Sequence, residues 1–211
     1  MDFYLSSRAQ GRAVKELKKM APKNKKTALI SNALDYSKDF KRRKKSEEKD
    51  AKKLSALGFN VELVDLRKYF GKKNKLKTKM KEFGVIWIKG GNVFYLRNAM
   101  KQSGFDQILK SLSTQKNILY GGASAGICIL SPTLKGLDLI DSTKKKPYEK
   151  KIIWEGLNII PYCFAPHYKS RNSQSKKINK VVEYFIKNKI PFKTLKDKEV
   201  ITINKGKEKV W

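Results

Sequence analysis

The sequence predicts an α/β protein in which a mostly parallel β-sheet is sandwiched between layers of helices. Strand-like apolar runs recur along the chain and are separated by segments of helix length, which is the pattern of successive βαβ units. The 211 residues are 40% hydrophobic, a globular composition in a chain long enough to bury a full core. With no internal repeat and no flexible linker in view, we expect residues 1–211 to form a single domain.

The first half of the chain supplies four of the predicted strands, at residues 3–5, 27–30, 59–66 and 85–88. Helices are expected between and after them. Residues 12–20 place Val14, Leu17 and Met20 at helical spacing. A polar segment rich in Lys and Glu, residues 35–57, predicts a solvated helix with a basic loop, and Gly58 ends it. Residues 93–100 form the next helix.

The second half continues the alternation with a helix over 105–112, a strand over 117–120 and the start of a buried helix at 127–130. Residues 151–154 and 158–165 are predicted strands. An amphipathic helix over 176–187 places five apolar residues on one face: Ile178, Val181, Val182, Phe185 and Ile186. Residues 200–203 and 209–211, joined through 204–206, predict a C-terminal hairpin.

The most informative motif is Gly-x-Ser-x-Gly around Ser124, which lies between the strand at 117–120 and the apolar run at 127–130. Such a strand–turn–helix context is typical of a nucleophile elbow. Gly121 and Gly122 are expected to allow the tight turn. The hydroxyl of Ser124 would then be exposed on the turn, and the N–H of Ala125 at the helix start could stabilise an oxyanion.

A serine nucleophile needs a neutral base, and His167 is the only histidine in the chain. It follows the predicted strand 158–165. A carboxylate should orient its ring. Asp141, with its neighbour Asp138, lies between Ser124 and His167 in sequence, whereas Asp197 comes after His167 and before the final strands. Residue patterns alone leave both acids open.

Gly90, Gly91 and Asn92 follow the strand at 85–88 directly. Ser124 and His167 also follow strand candidates. Because sites in parallel sheets collect at the carboxyl ends of strands, we expect these three features to lie at one edge of the sheet. The hydroxyl of Ser124 should then be within hydrogen-bond reach of the His167 ring.

The chain is strongly basic, with 49 Lys and Arg against 19 Asp and Glu, a net charge of +30. Only seven of these cations are Arg, the residue that bidentate base recognition prefers, so sequence-specific nucleic-acid binding is not expected. The lysines are spread along the whole chain. We interpret them first as a bias in lysine usage across the proteome and second as nonspecific affinity for polyanions.

No run reaches the roughly 20 apolar residues of a membrane span, and residues 1–7 do not form a signal peptide. We therefore expect a cytoplasmic protein. Cys128 and Cys163 lie in apolar runs and are predicted to be buried free thiols. Two Cys and one His make a poor zinc ligand set. No metal and no organic cofactor is implied.

Four segments in this order resemble the peptidase E group of serine peptidases, peptidase family S51, which includes aspartyl dipeptidase and, more distantly, cyanophycinase. They are Ile88 to Phe94, Ala123 to Gly126, Ala165 to Tyr168 and Leu195 to Asp197. The resemblance covers nearly the whole chain. It implies one peptidase E-like domain with a flavodoxin-like fold related to class I glutamine amidotransferases.

The same resemblance implies that Ser124 is the nucleophile, His167 the base and the Gly90-Gly91 segment the backbone oxyanion region. It places the orienting acid at Asp197, where the family usually has Glu, although an acid in the region of Asp138 to Asp141 has also been considered. The shorter Asp side chain moves the carboxylate by about one C–C bond, so the ring requires a compensating backbone shift.

The expected function is therefore serine-type hydrolysis of small peptides, by analogy dipeptides with N-terminal Asp. Lys169 or Arg171 could pair with the substrate aspartate. Two alternatives stay open: a catalytically weak family member that binds polyanions nonspecifically, and an esterase that uses the same groups. The protein is expected to be a monomer or a homodimer.

Overall fold

A computed structural model describes residues 1–143, 148, 151–170 and 174–211 of the chain. Its strands are β1 (Asp2–Ser6), β2 (Lys26–Ile30), β3 (Asn60–Leu63), β4 (Val85–Ile88), β5 (Leu119–Ala123), β6 (Cys163–Pro166), β7 (Phe192–Leu195), β8 (Val200–Asn204) and β9 (Lys207–Val210). Seven of them form one sheet in the order β3-β2-β4-β5-β1-β8-β9. The strands from β3 to β1 are parallel, and β8 and β9 add an antiparallel edge.

The helices are α1 (Val14–Met20), α2 (Phe40–Ser55), α3 (Lys73–Met80), α4 (Val93–Ser103), α5 (Phe105–Ser113), α6 (Ala125–Cys128) and α7 (Gln174–Lys187). They cover both faces of the sheet, because alternate strand residues point to opposite sides. In β4, Ile86 and Ile88 pack in the core that holds α4 to α7, while Val85 and Trp87 pack in the core that holds α1 and α2. The predicted α/β class is confirmed.

The glycines before the elbow have a different role from the predicted one. Gly121 and Gly122 belong to β5 rather than to a turn. A Cβ on Gly121 would lie 2.2 Å from Cε3 of Trp87, and one on Gly122 would lie 2.8 Å from the carbonyl oxygen of Gly126. These glycines therefore let a tryptophan and the following helix approach the strand closely.

The strands predicted at 151–154 and 158–165 are wrong for most of their length. Only β6 is a strand there, and it pairs in parallel with β7 as a separate two-stranded sheet. Upstream, Glu155 makes a single bridge to Thr133. The N–H groups of Leu157 and Asn158 donate to the carbonyls of Ile129 and Ser131, so this apolar segment packs on the end of α6 as a loop.

Two elements were not predicted, and one side chain was misplaced. The helix α3 buries only Leu76 and Met80, too few apolar residues for a periodic signal. The strand β7 has four residues and one buried side chain, Leu195. In α7, Ile178 and Phe185 are buried as expected, but Ile186 is 64% exposed and does not belong to the buried face.

Other predictions are confirmed. The strands β8 and β9 form the expected hairpin, and its Lys205 and Gly206 have the positive φ angles, 49° and 78°, that a tight two-residue turn requires. Cys128 and Cys163 are free and buried. Among the described residues, no helix combines the length and the apolar character that a transmembrane span needs.

Candidate active site

Ser124 lies at the carboxyl end of β5, on a sharp turn between that strand and α6. Its φ and ψ angles are 53° and −116°, a conformation that costs a residue with a side chain on the order of 1–3 kcal/mol. Neighbouring hydrogen bonds maintain it. The N–H of Ser124 donates to the carbonyl of Ser6 at 3.2 Å, and the N–H groups of Ile127 and Cys128 donate to the carbonyl of Ser124.

The second glycine of the motif fixes α6 against the sheet. A Cβ on Gly126 would lie 2.3 Å from the carbonyl oxygen of Ile88, so only glycine allows this approach. The buried hydroxyl of Tyr120 donates a hydrogen bond to the carbonyl of Gly126. Burial raises the pKa of Tyr120 well above its ordinary value. Its phenol therefore remains a neutral hydrogen-bond donor that stabilises the turn between β5 and α6.

His167 follows β6 directly and is turned toward the sheet edge by a left-handed backbone conformation, with φ of 62°. Its N–H donates to Oγ of Ser7 at 2.9 Å, and that hydroxyl donates to the carbonyl of Leu195 at 3.3 Å. The imidazole Nε2 lies 3.2 Å from Oγ of Ser124. The expected hydrogen-bond reach between these two side chains is therefore confirmed.

Asp197 contacts the other nitrogen of the ring. Its Oδ1 lies 2.8 Å from Nδ1 of His167, while its Oδ2 accepts from Oγ of Ser170 at 3.0 Å and lies 3.5 Å from Nη1 of Arg8. Burial raises the pKa of this carboxyl, but the hydrogen bonds from His167 and Ser170 outweigh it, and the pKa lies below its ordinary value. An ionised carboxylate thus faces the ring.

Asp141, the alternative acid, has another partner. Its Oδ2 accepts a hydrogen bond from the N–H of Val93 at 2.7 Å, at the start of α4. Burial raises its pKa to about 6, and the Val93 hydrogen bond offsets only part of that rise. Asp141 lines the same cleft as Ser124 and His167. The structure therefore pairs His167 with Asp197 and leaves Asp141 as a separate, half-buried carboxyl in the cleft.

The segment after β4 lies at the same edge, as predicted. A Cβ on Gly90 would lie 3.0 Å from the carbonyl oxygen of Ala123 and 3.1 Å from Cβ of Ser124, so the backbone of Gly90 passes directly beside the serine. The Asn92 side chain is engaged elsewhere. Its Oδ1 accepts from Phe94 and Tyr95 as the N-cap of α4, and its Nδ2 donates to the carbonyl of Ser142.

The backbone N–H of Ala125, the first residue of α6, is available to bind a ligand. Within the described part of the chain no hydrogen-bond acceptor is assigned to it. Free N–H groups at a helix start beside a strained serine have the character of an oxyanion hole.

Ser124, His167, Asp141 and the segment 90–92 line an open cleft of about 480 Å³. It also contains residues that sequence reasoning missed: Arg8, Tyr36 and Lys89. The Lys89 ammonium forms an ion pair with Asp50. Arg8 follows β1 and Lys89 follows β4, so the strand-end rule could have identified both. A smaller pocket of about 40 Å³ adjoins the cleft and is lined by Ser124, Asp141 and apolar side chains such as Cys128.

Of the two predicted specificity residues, Lys169 does not line the cleft. Lys169 is exposed and its ammonium lies over the ring of Tyr168, 5.4 Å from the centroid. Arg171 falls outside the described residues. In the described ranges, no group of three or more His, Cys, Asp or Glu side chains is arranged to hold a metal ion.

The model of peptidase family S51 matches residues 5–210 of the chain. Over 160 residues the chain is 34% identical to an uncharacterized peptidase of Listeria monocytogenes, an alignment that covers 72% of this chain and 74% of that relative. It is 26% identical over 115 residues to a Drosophila melanogaster protein named "Probable alpha-aspartyl dipeptidase", with 54% of this chain and 43% of that protein covered.

A solved structure of a Listeria monocytogenes protein assigned as a peptidase E superposes on the whole chain and on 97% of its own length, with a TM-score of 0.76 at 23% identity. A peptidase from an acI-B1 actinobacterium covers the whole chain with a TM-score of 0.67 at 15% identity. These likenesses establish that the α/β fold is shared.

Proposed function

Because the chain belongs to peptidase family S51 and is thus a serine-type peptidase, we propose that Ser124, His167 and Asp197 are its catalytic triad and that it hydrolyses dipeptides with N-terminal aspartate. One observation carries the triad: a continuous hydrogen-bonded path runs from Oγ of Ser124 through both ring nitrogens of His167 to Oδ1 of Asp197. Each distance is within the range that proton transfer requires.

In the proposed reaction, Nε2 of His167 takes the hydroxyl proton as Oγ of Ser124 attacks the scissile carbonyl. Asp197 holds the ring and stabilises the imidazolium that forms. The N–H of Ala125, together with an N–H of the Gly90-Gly91 segment, stabilises the oxyanion. His167 then donates the proton to the leaving amine, and the acyl group stays on Ser124. Water, deprotonated by His167, hydrolyses that ester and regenerates the serine.

Charges in the cleft support a dipeptide substrate. A dipeptide carries an α-ammonium next to the carbonyl under attack, and Asp141 is a half-buried carboxyl that lines the cleft with Ser124. Because the pKa of Asp141 is about 6, its carboxyl is mostly ionised at neutral pH and suits an ammonium partner.

The aspartate side chain of the substrate needs a cation. Arg8 and Lys89 line the cleft, whereas Lys169 is exposed outside it. We therefore assign the carboxylate of an N-terminal aspartate to Arg8 or Lys89. The dipeptidase name of the Drosophila relative supports this substrate class by analogy only.

The test is hydrolysis of Asp-Leu, Glu-Leu, Ala-Leu and Lys-Leu by the native protein and by Ser124→Ala. We expect the native protein to prefer Asp-Leu and Ser124→Ala to lose at least about 10³-fold in kcat. Ser111→Ala is the matched control, since Ser111 is exposed at the opposite end of the sheet. Equal turnover of all four dipeptides would contradict the aspartyl specificity, and full activity of Ser124→Ala would contradict the triad.

A further inference from the structure

A second depression adjoins the cleft and is rich in cations. Its volume is about 540 Å³, and we call it the lysine groove. Six of its lining residues matter here: Arg8, Gln10, Lys49, Lys53, Asp197 and Lys198. Arg8, Ala9 and Asp50 line both the groove and the cleft, so the two form one continuous surface.

The chemistry of the proposed reaction indicates which half of the substrate lies nearest the groove. His167 must give its proton to the leaving nitrogen, so the leaving half of a peptide lies on the histidine side of Ser124. Asp197, which holds His167, lines the groove. Arg8 lies 3.5 Å from Asp197 and bridges the two depressions. A peptide that departs past His167 therefore enters the groove.

The groove carries a net positive charge despite two carboxylates. Asp50 is paired with Lys89, and Asp197 accepts from Ser170 and contacts His167. In contrast, Lys49 and Lys53 project from successive turns of α2, and no carboxylate partner is assigned to either within the described ranges.

Lys198 completes the cationic wall from the opposite side. Its backbone has a φ of 72°, and its carbonyl accepts from the N–H of Arg12 at 2.8 Å, so the residue is held in a fixed turn. As with the α2 lysines, no carboxylate partner is assigned to its ammonium in the described part of the chain.

The side-chain amide of Gln10 is a second, independent observation that the groove accommodates a hydrogen-bond acceptor. The residue is only 7% exposed, and its Nε2 has no hydrogen-bond partner among the residues that the structure describes. Its backbone is fixed, because the hydroxyl of Tyr4 donates to its carbonyl. A buried amide donor without an acceptor is costly. A carboxylate that enters the groove would supply an acceptor next to the cations.

We propose that the lysine groove binds the carboxylate of the leaving half of the substrate, either a free carboxyl terminus or an acidic side chain within about two residues of the scissile bond. The inference rests on the proposed function, since the histidine side defines the leaving half. It assigns a role to part of the basic surface and predicts a preference for peptides that are acidic after the cleaved bond.

The test compares Asp-Leu with its C-terminal amide, which removes one carboxylate, in three proteins: the native chain, Lys49→Ala/Lys53→Ala and Lys45→Ala/Lys52→Ala. The last is the matched control, because Lys45 and Lys52 are exposed on the same helix but do not line the groove. We expect the native chain and the control to have a lower KM for the free acid than for the amide. In the groove variant the ratio of the two KM values should fall about three- to tenfold, with kcat little changed. An unchanged preference in the groove variant would overturn the proposal.

Binding to Ser124→Ala, measured by calorimetry with the same peptides, separates the two proposals. If the native chain cleaves neither peptide but the groove lysines still control the preference in Kd, the hydrolytic function fails while the groove assignment stands. If peptides are cleaved and the Kd preference ignores the lysines, only the groove assignment fails. A single-stranded oligonucleotide of ten nucleotides is the third probe. If it binds more tightly than the peptides and through the same lysines, the groove is a polyanion site and the proposal is overturned.

Discussion

At the scale of single residues, two carboxyls in or beside the cleft have pKa values shifted in opposite directions. Asp197 is bonded to His167 and Ser170, so its pKa lies below the ordinary value, whereas burial raises the pKa of Asp141 to about 6. Burial and hydrogen-bond donors together produce this difference in pKa. Asp197 has two side-chain donors, while Asp141 has one backbone N–H from Val93. Carboxyl groups whose pKa values are shifted in opposite directions are typical of functional sites.

Asp141→Asn should increase the free energy of unfolding at pH 7.5. Folding favours the protonated carboxyl, because its folded pKa of about 6 exceeds the ordinary value of 3.8. The contribution of Asp141 to stability is therefore fully present below about pH 4 and is lost as the pH rises through 6. Asparagine stays neutral and can still accept from Val93, so the gain at pH 7.5 should be about 2–3 kcal/mol.

Urea unfolding at pH 7.5 and pH 4 measures this effect. The gain should shrink to about 0.5 kcal/mol at pH 4, where the folded carboxyl is protonated and the unfolded one, with its ordinary pKa of 3.8, is about half protonated. Asp138→Asn is the control, because Asp138 lies in the same turn but is exposed, and it should change the free energy of unfolding by no more than about 0.5 kcal/mol. A loss of stability in Asp141→Asn at both pH values would contradict the argument.

The sequence identified residues whose chemistry is rare and missed those whose chemistry is common. A single histidine and a Gly-x-Ser-x-Gly motif predicted the contact between His167 and Ser124. Residue patterns left Asp141 and Asp197 undecided, because both are aspartates in turns, and only their hydrogen bonds separate them. Arg8 was missed because its residue type is common in this chain, which has 49 Lys and Arg residues in total.

At the scale of elements, the carboxyl ends of parallel strands bring the site together. The strand β1 is central, since it pairs with β5 on one side and β8 on the other. The loop after β1 supplies Ser7, whose hydroxyl holds the backbone of His167, and Arg8, which contacts Asp197. The site therefore depends on the docking of the small β6-β7 sheet against the end of β1.

Gly126→Ala should disrupt the elbow more than any polar change near it. A Cβ there would lie 2.3 Å from the carbonyl oxygen of Ile88, which belongs to the backbone of a central strand and cannot move away. We expect a loss of about 2–3 kcal/mol in the free energy of unfolding and a larger loss of activity, since α6 carries the N–H of Ala125.

Gly206→Asn is the control for a glycine outside the core. In the described part of the chain, no atom lies within 4 Å of a Cβ at Gly206, and asparagine tolerates its φ of 78°. Chemical denaturation of both variants should show a change below about 1 kcal/mol for Gly206→Asn. Equal losses in the two variants would mean that the approach to Ile88 does not set the cost of Gly126→Ala.

Elements with a clear period or an apolar run were predictable, and those defined by long-range contacts were not. The strand β4 is fully apolar and was recognised from sequence. Residues 151–154 and 158–165 were predicted as strands, yet the N–H groups of residues 157–160 donate to the carbonyls of Ile129, Leu130 and Ser131, just after α6. Local patterns cannot specify such partners.

At the scale of the whole molecule, the net charge of +30 opposes folding through self-repulsion. Some lysines are compensated. Lys26 and Lys79 share Glu62 and Glu82 in a surface network of four ion pairs. With only 19 acidic residues, most cations cannot be paired in this way. Salt should therefore weaken repulsion between many charges more than it weakens attraction within a few pairs.

Added NaCl should raise the Tm and lower the activity on acidic peptides. Between 10 mM and 200 mM salt the Debye length falls from about 30 Å to below 8 Å, so the repulsion among unpaired lysines is screened and the Tm should rise by several degrees. The same screening weakens the attraction between an anionic peptide and the cations Arg8, Lys49 and Lys53 in the cleft and groove. Calorimetry for Tm and kcat/KM for Asp-Leu and Ala-Leu measure both effects, with Ala-Leu as the control that salt changes least. A Tm that falls with salt would show that ion pairs such as Lys26–Glu82 outweigh the repulsion, because attraction and repulsion are screened alike and only the larger of the two decides the sign.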